Sequence, residues 1–249
     1  MSTTATTSLS PAAQEEAKNK YNVDLQPLSG DDRLIVFGND YICDHQPVTL
    51  AIKTKFSWSG DSMDVLDVQT GEPWFHVKGN VMSDSKTKVI CGKDQKPLFV
   101  VATKQWWNLL NDDQMVMDVR GATTKEQVNA MKKDKANVLF QVSSSLGNMK
   151  QKTTVKNLAQ NGKEVEITGK CSLLQQQCAL WRDGDDTTKG SIPLAKFMSP
   201  IELQNFVGLK STCDSTSDYY LTVTPGADIA MALAIILAIR EMENTYNVY

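Results

Sequence analysis

The most strongly apolar stretch of the chain lies near its C-terminus, from Ala227 to Arg240. On a 3.6-residue wheel its large side chains cover most of the circumference, and its alanines form only a narrow stripe. This pattern predicts a helix, over about residues 227–240, that is surrounded by apolar material on every side. Asp228 is placed to cap the first turn. The core residues expected in this helix are Ile229, Leu233, Ile236 and Leu237.

Two surroundings would satisfy such a helix, a bilayer or the interior of a protein. The uncharged run from Ile229 to Ile239 is eleven residues long, whereas a helix needs about 20 apolar residues to cross the hydrocarbon core. No cluster of Lys or Arg flanks it that would orient it in a membrane. The length therefore favours a buried core helix, and the rest of the chain should form its container.

From Leu34 onwards, short apolar runs are separated by Gly, Asp, Asn and Pro at intervals of about ten residues, a spacing typical of an all-β domain. Strict alternation in Val48–Phe56 predicts a strand with one buried and one solvated face. The other predicted strands are Met63–Val68, Pro73–Lys78, Thr87–Cys91, Leu98–Lys104, Met115–Arg120, Val138–Ser143, Lys152–Asn157, Lys163–Thr168, Gln177–Arg182, Ile192–Phe197 and Tyr219–Thr224.

Consecutive strands joined by short turns, with an apolar helix to enclose, predict a mainly β fold. We expect a closed antiparallel barrel of twelve strands around the buried hydrophobic C-terminal helix. Closure removes the exposed sheet edges and supplies apolar neighbours on every side of the helix. This domain is predicted over residues 31–249. Residues 1–30 are small, polar and without periodicity, so they are expected to form a disordered leader.

Two insertions interrupt the series of strands. Thr123–Glu126 resembles a capping box and predicts a helix that continues to about Asp134. Ser199–Glu202 resembles a second one and predicts a short helix towards Phe206. Both are predicted to lie on the surface. The lysines of the first insertion are Lys125, Lys132 and Lys133.

Composition narrows the class of protein. Asp and Glu outnumber Lys and Arg by 29 to 26, and the net charge of −3 gives no global electrostatic reason to expect nucleic acid as a partner. The five cysteines are irregularly spaced and no secretory segment is recognisable, so we expect reduced thiols. These features predict a cytoplasmic monomer, with a peripheral membrane or a nuclear location as the alternatives.

No motif of a known catalytic class is present in the sequence. The glycines lack the spacing of a nucleophile elbow, a phosphate-binding loop or a dinucleotide fold. The two histidines, His45 and His76, are too few for the common zinc sites. Cys43 and His45 could share a strand face and bind a metal, but a buried thiol beside a turn histidine is the commoner arrangement. We therefore expect no catalytic residue, no metal and no cofactor.

Basic residues on the predicted strands are the features that point to a partner. Lys53 and Lys55 share the outward face of one strand, and Lys86 and Lys88 share one face of another run. Brought together by the barrel, these four lysines would form a cationic patch for anionic lipid head groups or phosphates. The alternative is that they are the ordinary charged residues that protect sheet edges from aggregation.

Several segments of the chain, taken in order, resemble one known family. These segments are Pro47–Leu50 with Lys53, Val65–Val68 with Gly71, Phe75–Gly79, Pro97–Leu98, Tyr220–Pro225 and Ala230–Ile239. Over about Leu34 to Glu243 the chain resembles the LURP-one-related family. The resemblance implies the twelve-stranded barrel and central helix of the tubby C-terminal domain and the phospholipid scramblases. It also implies phosphoinositide binding through Lys or Arg, with Lys53 and Lys55 as the analogous positions, and plant members of the family are linked to defence.

The first functional hypothesis is a non-enzymatic binding or scaffold protein that recognises anionic membrane lipids or a protein partner. One alternative is a scramblase-like protein that acts on membranes after its last helix leaves the barrel. The other is an enzyme with an unrecognised carboxylate site, which a deep pocket with perturbed titratable groups would support.

Overall fold

The structure is a computed structural model that describes residues 21–55, 62–79, 87–103, 113–147, 150–156, 158–160, 163–172, 177–185, 187–198 and 219–246. Fourteen strands and two α-helices lie within these ranges. The strands are β1 (Val48–Lys55), β2 (Ser62–Asp67), β3 (Pro73–Gly79), β4 (Thr87–Cys91), β5 (Pro97–Thr103), β6 (Gln114–Asp118), β7 (Val138–Gly147), β8 (Lys150–Lys156), β9 (Ala159–Gln160), β10 (Lys163–Glu164), β11 (Ile167–Ser172), β12 (Gln177–Arg182), β13 (Ile192–Met198) and β14 (Tyr219–Val223). The helices are α1 (Lys125–Met131) and α2 (Ile229–Tyr246).

Twelve of the strands form one closed barrel, in the order β1-β14-β13-β12-β11-β8-β7-β6-β5-β4-β3-β2, and every neighbouring pair is antiparallel. The sheet closes where β14 returns to β1, with Val48 opposite Val223 and Leu50 opposite Leu221. The short strands β9 and β10 form a separate hairpin. The predicted closed, mainly β barrel of twelve strands is confirmed.

One predicted strand and one predicted cap differ from the structure. The segment predicted as Lys163–Thr168 is split, because β10 ends at Glu164 and β11 begins at Ile167. Between them the Val165 amide donates to the Leu158 carbonyl outside the barrel ladder, at 2.8 Å. The first insertion does form a helix, but its capping box uses Thr124 and Gln127 rather than Thr123 and Glu126. The second predicted insertion helix lies outside the described residues.

The interior of the barrel is filled by α2. Leu233 and Leu237 have no exposed surface, and Ile229 and Ile236 are only 1% exposed. Prediction placed the end of the helix at Arg240, whereas the helix continues to Tyr246. The two charged residues at the predicted end both have partners on the barrel strands. Arg240 stacks over the Tyr219 ring, and Glu241 forms an ion pair with Lys88. A charge therefore does not end the buried helix here.

Asp228 fixes the start of α2 to the segment that precedes the barrel. One carboxylate oxygen accepts from the Met231 amide at 3.0 Å, and the other accepts from the amides of Val36 and Phe37 at 2.9 and 2.6 Å. Burial raises the pKa of Asp228, and the backbone N–H groups oppose that rise. The predicted cap is therefore also a link between the N-terminal and C-terminal ends of the domain.

Replacing Asp228 with Ala is expected to lower the free energy of unfolding by about 2–3 kcal/mol, since a cap is worth about 1 kcal/mol and buried N–H groups lose their acceptor. Asp228→Asn should cost less, because its amide keeps one acceptor oxygen. Urea denaturation followed by circular dichroism measures both. Two variants with wild-type stability would show that these hydrogen bonds do not hold the helix start.

The chain is packed against the barrel from Tyr21 onwards. The leader was predicted to extend to residue 30, yet Tyr21, Leu25 and Leu28 are buried. The Leu28 amide donates a hydrogen bond to the Pro225 carbonyl at 2.8 Å. Gly226 also lies close to Leu28, since a Cβ added to Gly226 would come within 2.7 Å of the Leu28 carbonyl oxygen. Three apolar residues spaced through a polar stretch are enough to anchor it, which composition did not indicate.

Two of the five cysteines are joined, contrary to the expectation of reduced thiols. Cys171 and Cys178 lie directly opposite each other on β11 and β12 and form a disulfide. Adjacent strands bring the two side chains to the same face of the sheet, in the barrel core. Irregular spacing along the chain did not predict this register. Cys43 and Cys91 are free thiols.

In the part of the chain that the structure describes, no helix combines the length and the apolar character that crossing a bilayer requires.

Candidate functional site

A second apolar cluster lies on the outer face of the barrel and holds α1 against it. Its buried members are Val100, Ala102, Val119, Ala122 and Val128, with Val89 and Met131 packed against them. Val128 comes from α1, and Val100 and Ala102 come from β5. The outer face of β4 and β5 is therefore covered rather than solvated.

A cavity of about 340 Å³ lies between α1 and the outer faces of β3, β4 and the start of β5. We call it the α1 pocket. Its lining residues are Lys78, Thr87, Val89, Cys91, Gln95, Pro97, Thr123, Thr124, Lys125, Val128, Asn129 and Lys132. Three of these twelve described residues are lysines and none is Asp or Glu. The pocket thus concentrates positive charge in a protein whose net charge is −3.

Lys132 is the half-buried cation of the pocket. Its ammonium donates a hydrogen bond to the Thr87 hydroxyl at 3.1 Å, and no carboxylate pairs with it among the described residues. Burial lowers the pKa of Lys132. A partly desolvated ammonium without a counter-charge is costly in a protein, and an anionic ligand would remove that cost.

Lys78 and Lys125 lie at the exposed rim of the pocket. Lys78 ends the predicted strand on β3 and donates a hydrogen bond to the Cys91 thiol on β4. Burial raises the pKa of Cys91, and Lys78 only partly opposes this effect. Lys125 is the first residue of α1, after the cap Thr124. The Cys91 thiol is therefore protonated at neutral pH, and it contributes a small apolar surface rather than a nucleophile.

The four lysines predicted to bind lipid do not form one patch. Lys53 is half-buried and faces Asp64 across β1 and β2, and Asp64 in turn binds His76 Nδ1 at 2.9 Å. Lys86 lies outside the described residues, and the structure describes the backbone of Lys55 but not its side chain. Lys88 is only 6% exposed and lies 2.6 Å from Glu241 of the central helix.

The inward position of Lys88 corrects the prediction that it shares an outward face with Lys86. On β4, Lys88 lies two residues from Ile90, which belongs to the barrel core. Residues two apart on a strand share a face, so Lys88 also points inwards. Its charge is matched by a carboxylate inside the barrel and is not available to a membrane.

The sequence contained the pocket residues but gave no sign that they meet. Lys125 and Lys132 were recognised as residues of an exposed insertion, and Lys78 as the end of a strand. Lys132 contacts a residue 45 positions earlier in the chain. That contact depends on the docking of α1 onto β4 and β5, which only the outer apolar cluster determines.

Other candidate chemistry does not form a recognised site. In the described ranges, no group of three His, Cys, Asp or Glu side chains is arranged to hold a metal ion. His76 and Asp64 form a pair on the outer barrel face. Cys91 on β4 lies opposite His76, and burial keeps the Cys91 thiol neutral by raising its pKa.

The closed antiparallel barrel of twelve strands and the helix that it encloses define a tubby-like barrel fold. The chain belongs to the LURP-one-related family, whose sequence profile matches residues 48–240. The match begins at the first residue of β1 and ends within α2. The family resemblance seen in the sequence is thereby confirmed.

The fold is similar to that in an X-ray structure of a protein from Arabidopsis thaliana. The superposition has a TM-score of 0.52 at 18% sequence identity, and it covers 84% of this chain and 98% of the plant protein. At this identity the likeness establishes the shared fold alone. No curated protein matches the sequence.

Proposed function

We propose that the protein is a non-enzymatic binding module that recognises anionic lipid head groups through the α1 pocket. It would act as a peripheral protein at cytoplasmic membrane surfaces. The observation that carries this proposal is that the described lining of the pocket contains three lysines and no carboxylate. Phosphorylated head groups, such as those of phosphoinositides, present several acceptor oxygens to such a cluster.

The pocket is a better candidate than the strand patch around Lys53. In the pocket, Lys132 is half-buried and has no acidic partner among the residues that the structure describes, so a ligand gains a charge interaction that solvent screens only in part. On β1, Lys53 faces Asp64, which offsets its charge. Among the lysines on strands, the proposed site therefore contains Lys78 on β3 rather than Lys53 on β1.

Vesicle co-sedimentation tests the proposal, using phosphatidylcholine vesicles with and without phosphatidylinositol bisphosphate. Lys125→Gln combined with Lys132→Gln is expected to weaken binding by about 2 kcal/mol, or roughly thirty-fold, since each basic residue near an anionic surface is worth about 1 kcal/mol. Wild-type binding should also weaken with added salt.

A matched control removes the same charge outside the pocket. Lys133 and Lys135 are exposed and do not line the cavity, so Lys133→Gln with Lys135→Gln should retain most of the binding. Equal losses in the two double variants would point to diffuse surface charge and contradict the pocket. Wild-type protein that ignores anionic vesicles at low salt would contradict lipid recognition as a whole.

A further inference from the structure

Part of the lining of the α1 pocket is apolar, and we call this part its apolar floor. Val89, Pro97 and Val128 line it together with the buried, neutral thiol of Cys91. Val89 and Val128 also belong to the outer apolar cluster, so their position is fixed by packing. Any ligand that fills the cavity must place part of its surface against these side chains.

We infer that the α1 pocket binds a small amphipathic acid, in which a phosphate or carboxylate is joined to a compact apolar body. The inference rests on the proposed assignment of the pocket to anions and specifies the rest of the ligand. Polar groups placed against Val89, Pro97 and Val128 would lose their hydrogen bonds to water, and burying a polar group without a hydrogen bond is unfavourable. An apolar body gains free energy from the same contact.

The cavity volume limits the size of this body. At about 340 Å³, the pocket lies at the small end of the range of about 300–1,000 Å³ in which proteins bind small molecules. A two-ring aromatic group or a medium-length acyl chain suits this space, whereas the two long chains of a membrane lipid do not. The pocket therefore holds an anionic group and one compact apolar group, and it is too small for a whole lipid drawn out of a bilayer.

Lys132 supplies the most buried of the three ammonium groups for contact with the anion. An ammonium has three donors, and the Thr87 hydroxyl takes one of them at 3.1 Å. The remaining donors can bind ligand oxygens, since none of the described lining residues is a competing carboxylate. Lys78 and Lys125 add long-range attraction from the rim. The same residues thus hold the anionic end while the valines contact the apolar body.

Isothermal titration calorimetry with three probes separates the two halves of this requirement. Naphthyl phosphate carries both parts, inorganic phosphate carries only the anion and naphthol carries only the apolar body. We expect naphthyl phosphate to bind at least tenfold more tightly than either of the others. Equal dissociation constants for naphthyl phosphate and inorganic phosphate would contradict a role for the apolar floor.

Two substitutions locate the ligand, each read against a control. Lys132→Gln should weaken naphthyl phosphate about tenfold, while Lys133→Gln, at the exposed neighbouring residue outside the lining, should leave it unchanged. Val89→Thr keeps the β-branched shape and should weaken naphthyl phosphate several-fold while sparing inorganic phosphate. Unaltered binding in both Lys132→Gln and Val89→Thr would place the ligand elsewhere and overturn the inference.

The vesicle experiment distinguishes the failure of this inference from that of the proposed function. Protein that binds anionic vesicles through Lys125 and Lys132 but shows no preference for naphthyl phosphate contradicts the amphipathic acid alone. Protein that prefers naphthyl phosphate but ignores anionic vesicles contradicts the lipid assignment and supports a free acid. Protein that binds neither contradicts both.

Discussion

Replacing Lys88 with Met is expected to lower the free energy of unfolding by about 3–5 kcal/mol, because it removes the Lys88 ammonium from the Glu241 carboxylate inside the barrel. The two side chains are less than one-tenth exposed and their charged atoms lie 2.6 Å apart. Water cannot replace the lost ammonium at that depth. Urea denaturation monitored by tryptophan fluorescence measures the change.

The double variant Lys88→Met with Glu241→Met is the decisive comparison. Replacing a buried ion pair by apolar side chains of similar size is often neutral or stabilising, so the double variant should recover most of the lost stability. Lys96→Met breaks an exposed pair with Asp94 and should change stability by no more than about 0.5 kcal/mol. If Lys88→Met alone is as stable as the wild type, the pair does not hold the end of α2.

Replacing Leu233 with Asp is expected to prevent folding. Leu233 has no exposed surface and lies in the second turn of α2, surrounded by the barrel core. An unpaired carboxylate there would cost more than the roughly 5–15 kcal/mol of net stability that a domain has. We expect loss of soluble protein on expression, and no cooperative transition in any material that is recovered.

Ile35 provides a matched control for Leu233→Asp. It is 37% exposed, so Ile35→Asp introduces the same charge where solvent can reach it. That variant should fold with nearly wild-type stability, which would show that burial rather than the aspartate itself is responsible. A Leu233→Asp protein that is soluble and unfolds like the wild type would be incompatible with a helix enclosed by the sheet.

The fold could be predicted because its two strongest signals agree. A helix that is apolar all round needs a container, and short alternating runs such as Val48–Phe56 supply the walls. Physical reasoning from length excluded a membrane span and left a closed sheet. The end of α2 could not be predicted in this way, because the partner of Glu241 is Lys88 on β4, far away in the chain. The stacking of Arg240 over Tyr219 likewise depends on how α2 folds back along β14.

The candidate site was harder to predict, and β4 shows why. Both faces of this strand are largely buried, one by α2 and the other by α1, so its sequence shows no clean alternation of apolar and polar residues. Lys88 looked like an outward residue, although its spacing from Ile90 indicated the inner face. The pocket itself needs the docked position of α1, and seven helical residues do not reveal which strands they cover.

The closure of the barrel by β1 and β14 has a consequence for how the protein is made. Val48 on β1 pairs with Val223 on β14. The first strand therefore cannot complete its pairing until β14 has left the ribosome, after almost all the other strands. Until then the growing chain is a curled sheet with two open edges and an unfilled apolar interior. Contacts so distant in the chain also give a high contact order and slow folding. The nascent protein is therefore most prone to aggregation just before synthesis of α2 is complete. A ribosome that stalls near Pro225 should release a chain that depends on chaperones.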